Sequence, residues 1–250
     1  MLQIAAELRY SETAFVQQNG PFEFTVRYFT PVSEVDLCGH ATVATFGVLR
    51  REGIVGDGDV CVNHTLAGDL EVEIGEQVMM QMASPRLIGR VVDTDLLHRI
   101  MSPSQGPLWP VWPVEIISTG LPDIIMPVAH LQALADLHPD MDALAALSRE
   151  HEVVGVHAFA IGDDGVTAHV RNFAPLYGVP EESATGTANA ALTYYLACQG
   201  IIPCPTECRF VQGEAMQRPS VVATALSSDG TISVGGQCCI VAEGLMMVNG

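Results

Sequence analysis

The sequence predicts an α+β protein of two pseudo-symmetric domains, each a curled, mostly antiparallel sheet around a central helix. Three observations carry that expectation: an internal repeat, strand-like alternation at the head of each copy, and a nearly all-apolar helix behind it. Val26-Arg27-Tyr28-Phe29-Thr30-Pro31 recurs as Val170-Arg171-Asn172-Phe173-Ala174-Pro175. Cys38-Gly39-His40-Ala41 recurs, after a three-residue insertion, as Thr185-Gly186-Thr187-Ala188, and farther on Leu49 answers Leu196 and Gly53-Ile54 answers Gly200-Ile201. Copies this far apart are too long for stacked solenoid units and imply a duplicated domain.

The elements follow in order. Over 22–30, Phe22, Phe24, Val26 and Tyr28 alternate with Glu23, Thr25 and Arg27, the period of a half-buried strand, and 167–173 is its counterpart. A helix over 41–50 offers almost no polar face (Val43, Ala44, Phe46, Val48, Leu49), and neither does one over 188–197 (Ala190, Ala191, Leu192, Tyr194, Tyr195). Helices apolar all round are expected to be buried all round. Strands over 69–74, 78–82, 208–212 and 220–226 are numerous enough to wrap them. The Pro- and Gly-rich run from Ser102 to Pro113 is the natural crossover, giving domains of 1–108 and 109–250, with the last strand a candidate to cross back to the first.

Composition narrows the function. With 29 acidic against 11 basic residues the chain carries a formal charge of −18, which repels phosphate backbones and anionic membranes, so neither nucleic acid nor membrane is an expected partner. No uninterrupted apolar run is long enough to span a bilayer, and the N-terminus lacks a secretory layout. Seven scattered cysteines, an odd number, suit reduced thiols, and a cytoplasmic chain is expected. All 11 basic residues are arginines, so Schiff-base chemistry and a Walker-type phosphate loop are absent; no Gly-x-Gly-x-x-Gly occurs, and no cofactor is expected. The eight histidines include no His-x-x-x-His pair and the cysteines no Cys-x-x-Cys, so no metal is expected either.

Helices beginning at Cys38-Gly39-His40 and Thr185-Gly186-Thr187 present unpaired N–H groups and a positive dipole end. If the halves face each other, both termini meet in one cleft, where backbone donors hold a small carboxylate without a lysine. The expectation is that Gly39 and Gly186 lie within reach of one ligand.

At this point the residues carry a likeness. Ser11-Glu12-Thr13-Ala14-Phe15-Val16, Arg27-Tyr28-Phe29-Thr30-Pro31, Glu34-Val35-Asp36-Leu37-Cys38-Gly39-His40-Ala41-Thr42, Glu181-Glu182-Ser183-Ala184-Thr185-Gly186-Thr187-Ala188 and Val211-Gln212-Gly213-Glu214-Ala215-Met216 occur in order. Together they resemble the phenazine-biosynthesis PhzF-like family, which shares its fold with diaminopimelate epimerase and proline racemase. The resemblance implies a diaminopimelate epimerase-like fold and an isomerase of a small carboxylate metabolite. By it, Glu12 matches the proton-shuttling acid/base and His40 and Glu182 its catalytic partners, while Cys38, Gly39, Thr185, Gly186, Thr187, Gln212 and Gly213 stand at the substrate. A carboxyl that both takes and returns a proton suits such work, and partial burial is expected to raise the pKa of Glu12 toward neutrality.

Two departures qualify the likeness. The strands that precede the Ser-Glu-Thr helix in the family have no counterpart ahead of Met1, which leads to the expectation of a homodimer whose partner covers the exposed edge. Glu182 stands where the phenazine enzymes carry aspartate, and its extra methylene moves the carboxylate by about 1.5 Å. The racemase and epimerase branches set two cysteines against each other. Here the second position is Thr185, whose hydroxyl is no comparable acid or base near neutral pH. The alternatives to an isomerase are an amino-acid racemase or epimerase dependent on Cys38, and a non-catalytic carboxylate-binding homologue.

Overall fold

The computed structural model describes residues 1–91, 93–101, 112–163 and 165–247. It forms two compact units, Met1–Met80 with Gly236–Gly250, and Gln81–Gly235. The crossover expected over 102–113, with the boundary at 108/109, lies almost wholly outside the described residues.

The first unit opens with helix α1 (Leu2–Leu8), then strands β1 (Thr13–Gly20), β2 (Glu23–Phe29) and β3 (Glu34–Val35), helix α2 (Gly39–Arg51), and strands β4 (Val60–Thr65), β5 (Gly68–Ile74) and β6 (Val78–Gln81). The sheet runs β1-β2-β4-β5-β6, with β3 on the side of β2. Every pairing is antiparallel except β2 with β4, whose connection passes through α2. Alternation in β2 does what its sequence says: Phe24, Val26 and Tyr28 are buried, whereas Phe22, just before the strand, is exposed. Phe24 meets Phe46 of α2 edge to face, ring centres 5.5 Å apart.

Helix α2 corrects one expectation. Ala41, Phe46 and Leu49 are buried, but Ala44 and Val48 are exposed, Val48 by 41%. Strands β1 and β5 lie against the helix, as does β2 through Phe24, and the exposed residues of α2 face away from that packing. The chain from Gly236 onward also belongs to this unit, and there Arg51 Nη2 meets Glu243 at 3.0 Å. A Cβ on Gly47 would meet the Cys238 thiol, so the segment from Gly236 passes close to α2 at this glycine.

The second unit repeats the plan and adds to it. Strand β7 (Arg86–Arg90), helix α3 (Thr94–Met101), strands β8 (Glu115–Ser118) and β9 (Pro122–Pro127), and helices α4 (Leu131–Ala135) and α5 (Met141–Glu150) come first. The repeated part follows: β10 (Val156–Ile161), β11 (Ala168–Ala174), β12 (Val179–Glu182), α6 (Gly186–Cys198), β13 (Thr206–Gln212), β14 (Ser220–Leu226) and β15 (Ile232–Gly236). Here β11 pairs parallel with β13 across α6, as β2 pairs with β4 across α2, and β12 lies on β11 as β3 lies on β2. Even the helix exits match: Gly53 and Gly200 both have φ +70°, and Ile54 and Ile201 return their N–H groups to Leu49 and Leu196.

The added elements change the burial. Ile116, Ile124, Met126, Ala158 and Ala160 join α3, α4 and α5 in one core, while Ile117, Ile125 and Phe159 join α6 in another. Strands β8 to β10 are therefore buried on both faces. Their apolar runs lack the two-residue period, which is why pattern reading did not find them. Helix α6 is buried all round as expected, against β8, β9 and β14. Leu192, Tyr195 and Leu196 are fully buried, each contributing roughly 1.5–3 kcal/mol.

Candidate active site

In the first unit the site residues gather at the start of α2. Cys38 caps the helix in extended conformation (φ −141°, ψ 112°) without a side-chain bond to the first turn, leaving N–H groups there for a ligand or water. A buried network fixes this cap. Thr42 Oγ1 donates to the Cys38 carbonyl at 2.8 Å and lies 2.6 Å from the Tyr28 hydroxyl, which accepts from Asn63 Nδ2 at 2.9 Å. Arg27 grips Glu34 through two bonds of 2.7 Å, holding β3 against β2 just before the cap.

Glu12, immediately before β1, places Oε2 3.0 Å from His40 Nε2, and Cys38 Sγ lies 3.6 Å from both ring nitrogens. Glu12 is mostly buried, and the His40 side chain is half exposed. The pKa expectation for Glu12 is overturned. Its hydrogen bond to His40, aided by those to Ser11 and Cys38, holds the carboxyl below its ordinary range, although burial pulls the other way. Contact with Cys38 and Glu12 raises His40 to about 10. The neutral-pH state is a carboxylate on an imidazolium, with the base form of Glu12 ready.

In the second unit the equivalent cap is Thr185, again extended (φ −127°, ψ 100°) and again without a side-chain bond to the helix. What surrounds it is mostly amide and hydroxyl, with one carboxylate, Glu182. Asn189 Nδ2 donates to the Thr185 carbonyl at 2.8 Å, standing where Thr42 stands in α2, and to Gln212 Oε1 at 2.9 Å. Gln212 Nε2 donates to Thr185 Oγ1 at 2.9 Å and to the Glu182 carbonyl at 2.8 Å, and its Oε1 accepts from the Thr185 N–H at 3.1 Å. Thr185 Oγ1 donates to Glu182 Oε2 at 3.1 Å. Gln212 is fully buried, so it orders the turn that carries Glu182, Thr185, Gly186 and Thr187. Gly213 has φ +84°, and a Cβ there would strike the Arg218 carbonyl, so the turn after Gln212 admits only glycine.

Behind this turn lies a group the sequence reading missed. His157 Nε2 is 3.4 Å from Asn189 Oδ1, its Nδ1 is 3.2 Å from Asn172 Nδ2, and Asp123 lies buried nearby, on the same side as Asn172. Burial, helped by the charge on Glu182, pushes Asp123 up to about 7; burial alone lowers His157 to about 4. Polar residues inside apolar elements, Asp123 in Pro-Asp-Ile-Ile and Asn189 in α6, were the available signal.

Comparison with known proteins places this arrangement. Residues 1–244 match the model of the phenazine biosynthesis-like protein family. The chain belongs to that family. Among its curated members, an uncharacterized isomerase of Deinococcus radiodurans is 35% identical over 98% of this chain and 84% of its own length. The trans-2,3-dihydro-3-hydroxyanthranilate isomerase of Pseudomonas chlororaphis is 31% identical over 89% of this chain and 77% of its own. The crystal structure of a PhzF-family phenazine biosynthesis protein from Bacillus anthracis superposes with a TM-score of 0.84 at 26% identity, covering 95% of this chain and 85% of that one. The family is one of isomerases, and its diaminopimelate epimerase-like α+β fold is the fold of this chain. No helix among the described residues is long and apolar enough to cross a membrane.

Proposed function

We propose that this chain is a cofactor-independent isomerase that moves a proton on a small carboxylate metabolite, with Glu12 as the base that takes the proton and the acid that returns it. The observation that carries this reading is the Glu12–His40 pair, 3.0 Å apart at the start of α2. His40 keeps Glu12 ionised and, once the carboxyl has accepted a proton, favours its release. The substrate of the Pseudomonas chlororaphis relative defines the class to try first, an unsaturated cyclic amino acid carrying a carboxylate. Gly39 and Gly186 support a carboxylate at the helix starts: a Cβ on either meets only side-chain methyl groups, Met80 Cε at 3.8 Å or Val234 at 3.4 Å, so internal packing does not demand glycine. Whether Glu182, Thr185, Gly186 and Thr187 serve the same substrate is an expectation resting on the repeat.

The test is Glu12→Gln, which keeps shape and removes titration. Turnover, or exchange of substrate hydrogen with deuterated solvent, should fall roughly 10²- to 10⁴-fold while ligand binding persists. Cys38→Ser should be far milder. Full exchange in Glu12→Gln with loss in Cys38→Ser would hand the chemistry to the racemase reading.

A further inference from the structure

Glu12, Cys38 and His40 bring together a carboxylate, a thiol and an imidazole whose donor atoms all lie within 4.8 Å of one another. We propose that these three residues form a binding site for a thiophilic divalent metal ion of the zinc class, and that the ion, when bound, blocks the Glu12 carboxylate. Zinc bonds of about 2.0–2.1 Å to nitrogen or oxygen and about 2.3 Å to sulfur set tetrahedral edges of about 3.3–3.7 Å between ligand atoms. Cys38 Sγ and His40 Nε2 are already 3.6 Å apart, Glu12 Oε2, 3.0 Å from His40 Nε2, needs to open by a few tenths of an ångström, and the third edge, from Cys38 Sγ to the Glu12 carboxylate, lies within 4.8 Å and needs to close by at most about 1 Å, within the reach of side-chain rotation. The half-exposed His40 leaves the fourth position open to water. Thiolate and imidazole select against magnesium and calcium, which prefer all-oxygen sites.

The ligands escape spacing rules because Cys38-Gly39-His40 is joined to Glu12 only through the fold. Binding costs protons: the thiol and the imidazolium each release one to solvent, and the metal takes the lone pairs so exposed together with one from the carboxylate. That carboxylate lone pair is the one proton abstraction would use. The blocking clause therefore rests on the role proposed for Glu12, whereas the site itself does not. Among the described residues the turn around Thr185, with hydroxyl and amide groups and the carboxylate of Glu182, offers no comparable set.

The experiment uses the full chain stripped with a chelator and titrated with Co²⁺, followed by displacement with Zn²⁺. The expected result is one ion per chain with a thiolate-to-cobalt charge-transfer band, lost in Cys38→Ser and kept in Cys238→Ser. Zn²⁺ affinity should fall at least tenfold in His40→Gln and in Glu12→Gln, with circular dichroism confirming that each variant folds. No thiolate band, or a band that survives Cys38→Ser, overturns the site and leaves the isomerase reading untouched. Solvent exchange that runs unimpaired with the site filled overturns the blocking clause, and with it Glu12 as the base, while the site stands.

Discussion

The starts of α2 and α6 share their backbone and differ in chemistry. Both caps are extended, both precede a glycine, and both are tied by a polar side chain four residues on, Thr42 in one and Asn189 in the other. Around Cys38 stand an ionised carboxylate and an imidazolium; around Thr185 stand amides and a hydroxyl, with Glu182 at the edge. Duplication preserved what positions a helix terminus, because that geometry serves any anion. The groups proposed to move the proton, Glu12 and His40, stand on one side only. Packing diverged too, since α6 is buried along most of its length, whereas Ala44 and Val48 of α2 are exposed.

Paired substitutions test this contrast, beginning with the largest effect on stability. Leu192→Ala in α6 should cost about 4 kcal/mol, as cavity formation at a fully buried site does, whereas Val48→Ala on the exposed side of α2 should stay within about 0.5 kcal/mol. Denaturant midpoints decide it, and equal costs would show that the two helices are equally enclosed.

The duplicated arginines come next. Arg171 is mostly buried, pairs with Glu181, and donates to the carbonyls of Leu134, Ala135 and Leu137, so Arg171→Gln should cost about 3 kcal/mol by stranding those partners. Arg27 grips Glu34 as tightly but in solvent, and Arg27→Gln should leave the thermal midpoint unmoved. A large loss from Arg27→Gln would mean that the β3 turn matters beyond its exposure.

Asp123 and His157 give opposite pH slopes. Asp123, raised to about 7, keeps its proton in the folded state where the unfolded chain has lost it, so its contribution to stability falls as pH rises from about 4 to 7. His157, lowered to about 4, stays neutral where the unfolded chain is charged, so stability falls as pH drops from about 6.5 to 4. Asp123→Asn should therefore stabilise the protein above pH 7, on the order of 2 kcal/mol, and unmask the histidine slope between pH 4 and 6.5. A flat profile between pH 4 and 6.5 in the variant would show that burial does not lower His157.

The smallest effect concerns the pH profile of turnover. With Glu12 lowered and His40 raised to about 10, the acid limb should lie below the ordinary carboxylate value and the alkaline limb near 10. His40→Gln removes the charge that opposes burial, so the acid limb should move upward, as initial rates across pH would record. An unmoved limb would separate Glu12 from His40.

The sequence by itself determined the duplication, the strand–loop–helix plan of each copy, the family, and the residues at both helix starts, because period, glycine placement and motif order are local properties of the chain. It also carried Glu12, though with the wrong direction for its pKa, since burial could be guessed and the His40 partner's stronger pull could not. Only the tertiary structure decided the rest. Strands β8 to β10 are buried on both faces, a state that erases the alternation by which strands are read. Val48 is exposed although its side chain is apolar, a placement that the run of apolar residues in α2 does not announce. Asp123 and His157 came to lie behind the Thr185 turn because the fold buried two ionisable groups beside amides, and the charge a buried group carries is set by neighbours that sequence distance hides.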